Sequence, residues 1–180
     1  MNHHADDLSH VRPDGSAHMV DVTDKAVTSR EASARAVLRT RPDVVARIAE
    51  GDLPKGEALA TARIAGIMGA KRTPDLIPLC HPLPLSGVEI GLVPCEDRVE
   101  ITARVRTKGV TGVEMEALTA ATVAALTVYD MIKAVDHLAT IEGVQVLTKS
   151  GGRSGDWSRR TAQQSAPTGM STPTGQGSGA

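Results

Sequence analysis

Asp130 and Lys133 stand three residues apart in YDMIKA, a spacing that places both on one face of a helix. A carboxylate beside an amine is the minimum equipment for proton transfer, the amine exchanging the proton and the carboxylate orienting it. The same pair also occurs at ordinary solvated helix ends, where it is worth only about 0.2–0.5 kcal/mol. Glu114 and Glu116 open the same segment, a place that suits the helix dipole without any chemistry. Between the two ends, residues 117–128 carry no charge at all. A surface helix scatters charge along its wet face, so this helix is expected to be buried over most of its length. Its terminal charges then need a reason.

Geometry narrows that reason. Glu116 precedes Asp130 by 14 positions (130 − 116). At ~100° and ~1.5 Å per residue it falls within about 40° of the same face but roughly 21 Å away along the axis. One small substrate does not reach both ends of one helix. Two packed subunits can bring the head of one helix to the tail of another, so the spacing argues for a composite site at a subunit interface.

Four further clusters could join that chemistry. Leu79, Cys80 and His81 sit in a proline-rich stretch, TPDLIPLCHPLP, where prolines lower the entropy lost on ordering a loop. His81 could donate a hydrogen bond or serve as acid or base near neutral pH. The stretch TKGVTG runs into the start of the long helix, and its glycines could expose backbone N–H groups to an anion. It lacks the Walker pattern, and an ordinary strand-to-helix loop is the plainer reading. Lys149 is followed by SGGRSGDW, a glycine-rich basic loop that suits phosphate or a simple chain exit. Lys25, Arg30, Lys55, Lys71 and Arg72 are scattered cations, and several converging would suit a triphosphate.

The elements that must position these groups follow from composition and pattern. The chain has 180 residues, enough for one domain with a real core. Acidic and basic residues nearly cancel, with 21 and 20 of each, which argues against bulk binding of nucleic acid. Phe is absent and Tyr and Trp occur once each, so base-stacking platforms lack material and the core must be aliphatic. Two cysteines, Cys80 and Cys95, are too few for a disulfide scaffold, and no secretory segment opens the chain. No apolar run is read as a membrane span. A cytoplasmic protein without a membrane or nucleic-acid partner is expected. Residues 1–16 read as a disordered leader, residues 17–157 as a single folded domain, and residues 158–180, rich in Ser, Thr, Gly and Pro, as a disordered tail.

Within the domain, residues 17–23 read as a short extended segment. Residues 31–40 are ambiguous, since their alanines favour helix and their alternation permits a strand. Pro42 starts a helix that Gly51 stops. Another helix follows Pro54 and runs to about Ala70. Residues 73–84, with four prolines, read as an irregular loop. Val88, Ile90 and Leu92 alternate with Glu89 and Gly91, and Val99, Ile101, Ala103 and Val105 alternate with polar residues, giving a hairpin turned at Glu96–Asp97. The long helix and a last strand, residues 143–149, complete the domain. If residues 31–40 are a strand, the order is β-α-β-β-α-β, an α+β ferredoxin-like antiparallel sheet with helices packed on one face. The open face of such a sheet, if apolar, would call for a partner.

Taken together, HMVDVTDK, KGEALATARIAGIMGAKRTPDLIPLCHPL, TGVEMEALTAATVAALTVYDMIKA and LTKSGGRSGDW resemble the MoaC family, the cyclic pyranopterin monophosphate synthases. The resemblance spans residues 18–157. It implies a lyase of molybdenum cofactor biosynthesis that converts 3′,8-cyclo-7,8-dihydroguanosine 5′-triphosphate, a cyclised GTP, to cyclic pyranopterin monophosphate and diphosphate. It also implies a homohexamer, a trimer of dimers with sites between subunits. Carried over by motif, Asp130, Lys133 and Lys149 are the catalytic residues. Leu79, Cys80, His81, Met115 and Glu116 bind substrate, with Glu114 beside them. Lys55, Lys71, Arg72, Lys25 and Arg30 are assigned to the phosphates or the site rim. No metal site or required cofactor is implied, and Mg²⁺ could accompany the triphosphate. Many relatives have Cys where this chain has Ile132, which touches none of these roles. Two rivals remain open on the residues alone: a nucleotide-binding sensor on the same fold, and a zinc hydrolase using Cys80, His81 and His137.

Overall fold

The computed structural model describes Arg12, residues 14–153 and residues 155–159. Most of the proposed leader and tail lies outside those residues. The ambiguous alanine-rich segment is resolved by its neighbours. Ala32, Ala34, Ala36 and Leu38 are fully buried, while Ser29, Arg35 and Arg39 are exposed. That alternation makes it strand β1 (Thr28–Arg39), clamped between β3 (Arg98–Gly109) and β4 (Thr140–Ser150). Sheet pairing on both edges overrides the helix preference of alanine. β2 (Leu85–Cys95) pairs with β3, and the strand order is β2-β3-β1-β4-β5, antiparallel throughout, with β5 only Trp157–Ser158. Ser158, expected in the tail, thus closes the sheet, and Arg159 adds a backbone bond to Leu147.

The first crossover carries α1 (Pro42–Glu50), α2 (Ala58–Lys71) and α3 (Thr73–Leu76), and the second carries α4 (Glu114–Ile132). Gly51 ends α1 in the left-handed region at φ 72°, a conformation glycine adopts without steric cost. The result is the β-α-β-β-α-β ferredoxin-like arrangement. α3 departs from the expected irregular loop. Pro74 lies in its first turn, where a missing N–H breaks no helical bond, and the Thr73 hydroxyl donates to the Ala70 carbonyl at 3.0 Å. Residues 17–23 form no regular strand; Asp21 instead accepts both the Thr23 N–H and its hydroxyl.

The core has one composition throughout: small aliphatic side chains. Ala117, Ala120, Ala121, Ala124 and Ala125 of α4 are fully buried, as are Ile101 and Val105 of the sheet. α2 crosses α4 closely enough that a Cβ on Gly66 would lie 3.0 Å from the Ala120 carbonyl oxygen, and one on Gly69 2.9 Å from Val123. By length and composition α4 is long and apolar enough to cross a membrane, contrary to the sequence expectation. Its apolarity is accounted for by residues buried in the domain, Ala117, Ala120, Ala121, Ala124, Ala125, Val128, Met131 and Ile132.

The open face of the sheet is not apolar. It carries Arg104 near Glu31 at 3.6 Å, Arg98 on Glu100 at 2.8 Å, Arg39 on Glu142 at 3.0 Å, and Arg106 on Glu89. The condition set for a partner on that face is therefore not met. Exposed apolar side chains include Val93 on β2 and Val144 on β4, and the helical layer carries Ile64 and Met68 on α2, Leu76 on α3 and Leu126 on α4.

Candidate functional site

The two ends of α4 carry two different assemblies. At its N-terminal end, the irregular stretch after α3 brings Leu79, Cys80 and His81 against Glu114, Met115 and Glu116, around a cavity of about 520 Å³. Val20, Val22, Lys25, Leu83, Thr111, Gly112 and Arg153 complete its lining. His81 Nε2 is 2.9 Å from the Val20 carbonyl oxygen, which ties the loop to the segment before β1. β4 delivers Lys149, whose Nζ lies 3.2 Å from Glu114 Oε1.

Glu116 is the unusual group. It is 3% exposed, and its Oε2 finds no hydrogen-bond partner. Burial pushes its carboxyl above the usual range, and neighbouring Glu114 adds to that. Burial also pushes the Cys80 thiol up, with Glu116 contributing, so this cysteine is held as the neutral thiol. Glu116 lines the cavity while its unmet Oε2 is shut off from solvent, so a ligand that reached that oxygen would supply the missing partner.

A second cavity of about 650 Å³ adjoins the first, and the two share Lys25, Thr111 and Arg153. Arg30 and Gly152 line it as well. The Arg30 guanidinium donates through Nε to the Gly109 carbonyl and through Nη2 to that of Val110, both at 3.0 Å. A Cβ on Gly152, which has φ 75°, would lie 2.2 Å from Arg30 Nη1, so glycine is what lets this loop close on the guanidinium. Lys25, Arg30 and Arg153, offset by Asp24, make this an anion-favouring compartment beside the Glu116 cavity. The sequence pointed to the loop but not to Arg153 as a group facing both cavities; its glycines were the available signal.

At the C-terminal end of α4, Asp130 is gripped twice. Lys133 Nζ lies 2.7 Å from Oδ1, and Lys55 Nζ lies 2.7 Å from Oδ2 and 2.9 Å from the Asp130 carbonyl. Lys133 first and Lys55 second draw the carboxyl down to about 2. The same contact raises Lys133 above its ordinary value, so the ammonium is its resting form. Within one chain the lowering from desolvation is outweighed by Asp130, and Lys149 belongs to the other end of the helix.

The structure therefore gathers Leu79, Cys80, His81, Glu114, Met115, Glu116, Lys25, Arg30 and Lys149 at one end, and Lys55, Asp130 and Lys133 at the other. It does not bring the two sets together in a single chain. Lys71 and Arg72 are exposed at the end of α2 and line neither cavity. The zinc alternative loses its ligands: His137 follows α4, far from Cys80 and His81, and no three metal-ligating side chains gather among the described residues. Ile132 is fully buried in the core.

An α+β ferredoxin-like chain with an anion-favouring ligand cavity and a separate carboxylate–lysine cluster has the makings of an acid–base enzyme for a phosphorylated small molecule. The MoaC family model matches residues 19–152, and the chain belongs to that family. A Corynebacterium efficiens protein named cyclic pyranopterin monophosphate synthase is 66% identical over 152 residues, covering 84% of this chain and 98% of its own length. A Mycobacterium tuberculosis protein named cyclic pyranopterin monophosphate synthase 2 is 61% identical over 154 residues, covering 86% of this chain and 92% of its own. A Streptomyces coelicolor protein with the synthase name is 61% identical over 154 residues, covering 86% and 91%.

Proposed function

We propose that this chain is a cyclic pyranopterin monophosphate synthase of molybdenum cofactor biosynthesis. It takes 3′,8-cyclo-7,8-dihydroguanosine 5′-triphosphate and, as a lyase, forms cyclic pyranopterin monophosphate with loss of diphosphate. The observation that carries the reading is the division of labour along α4: a cavity with an unmet buried carboxyl at one end, an Asp–Lys cluster at the other. The reaction needs repeated proton transfers, reorganisation of a purine-derived ring and attack of a sugar hydroxyl on phosphorus, all within reach of Lys, Asp, Glu and His.

In this reading Glu114, Glu116 and His81 hold the base-derived ring. Lys25, Arg30 and Arg153 bind the phosphates and stabilise charge on the departing diphosphate. Lys133 enters as the ammonium and donates first. To act as a base it needs its pKa lowered, by burial or by a second cation such as Lys149 of a neighbouring subunit. The site is thus completed between subunits of a homohexamer, a trimer of dimers, and Lys71 and Arg72 lie at its rim. The exposed apolar side chains of the helical layer supply surface for such contacts. No cofactor is required, Mg²⁺ could travel with the phosphates, and the enzyme works in the cytoplasm without nucleic-acid or membrane partners.

A single-turnover assay with the cyclised GTP, following diphosphate and the oxidised fluorescent pterin, tests this. Wild type should release both products and Lys133→Ala neither. Tight binding without product by wild type would favour the nucleotide sensor instead.

A further inference from the structure

Besides Glu116, one other carboxylate among the described residues is buried. Asp136, 5% exposed, lies in the turn joining α4 to β4. Its Oδ2 accepts the Thr40 hydroxyl at 2.7 Å and the Arg41 backbone N–H at 3.4 Å, and its Oδ1 accepts the Leu138 N–H at 3.0 Å. The Arg41 guanidinium stands 4.0 Å from Oδ1 and donates to the Val135 carbonyl at 3.1 Å. Thr40 is itself buried. The Thr40 hydroxyl foremost holds the Asp136 carboxyl below the usual range.

A buried ion is an expensive way to join two loops, because apolar contacts of similar volume often serve stability as well or better. What hydrogen bonds to a carboxylate add is direction. Here the direction matters because of what lies three residues upstream. The Ile132 carbonyl accepts the N–H groups of both Val135 and Asp136, at 2.7 and 2.9 Å, so the turn is wound directly onto the last residue of α4. Lys133 is the next residue. Its own N–H still donates to the Tyr129 carbonyl at 2.9 Å, and the Tyr129 hydroxyl donates to the His137 carbonyl at 3.3 Å. Lys55 holds Asp130 from the α2 side. The turn holds Lys133 from the β1 side.

We propose that the Thr40–Asp136–Arg41 clasp is a positioning device for the Lys133–Asp130 pair, tying the turn after α4 to the junction of β1 and α1 and so fixing the direction in which Lys133 leaves the helix. The inference rests on the reading of Lys133 and Asp130 as reacting groups. Asp136 touches no substrate; it acts through Lys133. Its loss should therefore appear in kcat rather than in substrate binding, which belongs to the far end of α4.

The test is steady-state kinetics of the full chain with the cyclised GTP, for wild type, Asp136→Asn, Thr40→Val and Thr40→Ser. Asp136→Asn and Thr40→Val should lower kcat by roughly tenfold to a hundredfold, the scale of a misplacement of about 1 Å, with KM nearly unchanged. Thr40→Ser keeps the hydroxyl and should restore kcat to within about twofold of wild type. If Asp136→Asn fails to fold, the Thr40 pair decides alone. Folded Thr40→Val and Asp136→Asn proteins with wild-type kcat, or a Thr40→Ser protein as impaired as Thr40→Val, would overturn the clasp while leaving the enzyme assignment standing. Wild type that turns over no substrate would overturn the assignment and the clasp with it.

Discussion

α2 crosses α4 closely, and Gly69 is where the need for that close approach can be tested. A Cβ at Gly69 would lie 2.9, 3.0 and 3.3 Å from Cγ2, Cβ and Cγ1 of Val123, nearer than side chains tolerate. The three nearest heavy atoms all belong to that one side chain, so Val123 is the principal source of the clash. Gly69→Ala gains ~0.8–1.0 kcal/mol from helix propensity. Overpacking a fitted contact costs about 1–3 kcal/mol. With a nearest approach under 3 Å the upper half of that range applies, leaving a net loss of about 1–2 kcal/mol. Val123→Ala alone removes two partly buried carbons and should cost about 1 kcal/mol. In the double variant the new methyl fills the space that Val123 vacates, and the helix propensity gain remains. The two changes should then couple favourably by about 2–3 kcal/mol, the overpacking that is relieved, returning stability close to wild type. Urea denaturation at one fixed protein concentration reads all four corners of the cycle. Additive losses, or a Gly69→Ala protein as stable as wild type, would refute the view that glycine is there for close approach.

Three further expectations follow from the site and the core. Lys133→Ala should abolish turnover while leaving the proposed oligomer and its melting temperature nearly unchanged, because the side chain is exposed; activity within a few-fold of wild type would remove it from the mechanism. Ile101→Ala, at a fully buried position, should cost about 2–5 kcal/mol by urea denaturation. Glu116→Gln should change how stability depends on pH. The folded form holds the Glu116 proton above the ordinary carboxylate range, so the stability linked to that proton is complete in acid below the unfolded value of ~4.3 and is lost as pH rises through the raised folded value. Glutamine has no proton to lose, so the variant should gain on wild type as pH rises from about 4 until the raised folded value is passed, and a constant difference as pH rises from about 4 would contradict the assignment.

Much of the fold was legible because few residues pointed two ways. The alternation of Val99, Ile101, Ala103 and Val105 gave β3 and its inward face, and Gly51 gave the end of α1. Residues 31–40 could not be decided locally, since alanine suits both helix and strand; only pairing with β3 and β4 settles them. α3 was missed because four prolines outweighed the first-turn position that makes Pro74 harmless. β5 is two residues long, too short for any periodicity. The separation of Glu116 from Asp130 was readable from helix geometry. The pairing of Lys149 with Glu114 was not, because it depends on how β4 lies beside β1 and the start of α4. The gathering of cations at the second cavity was equally hidden, as Lys25, Arg30 and Arg153 come from three separate segments.

The central claim is that the two ends of α4 serve one reaction from different subunits, and subunit mixing tests it most directly. Lys133→Ala and Glu116→Ala proteins are each expected to be inactive. After subunit exchange in equal amounts, some sites should combine an intact Lys133 end from one subunit with an intact Glu116 end from another. Random assortment gives about a quarter of such sites, so about a quarter of wild-type activity should return. If the exchanged mixture, shown to contain both subunits in one assembly, stays as inactive as its parents, the site lies within a single chain and the composite account is wrong.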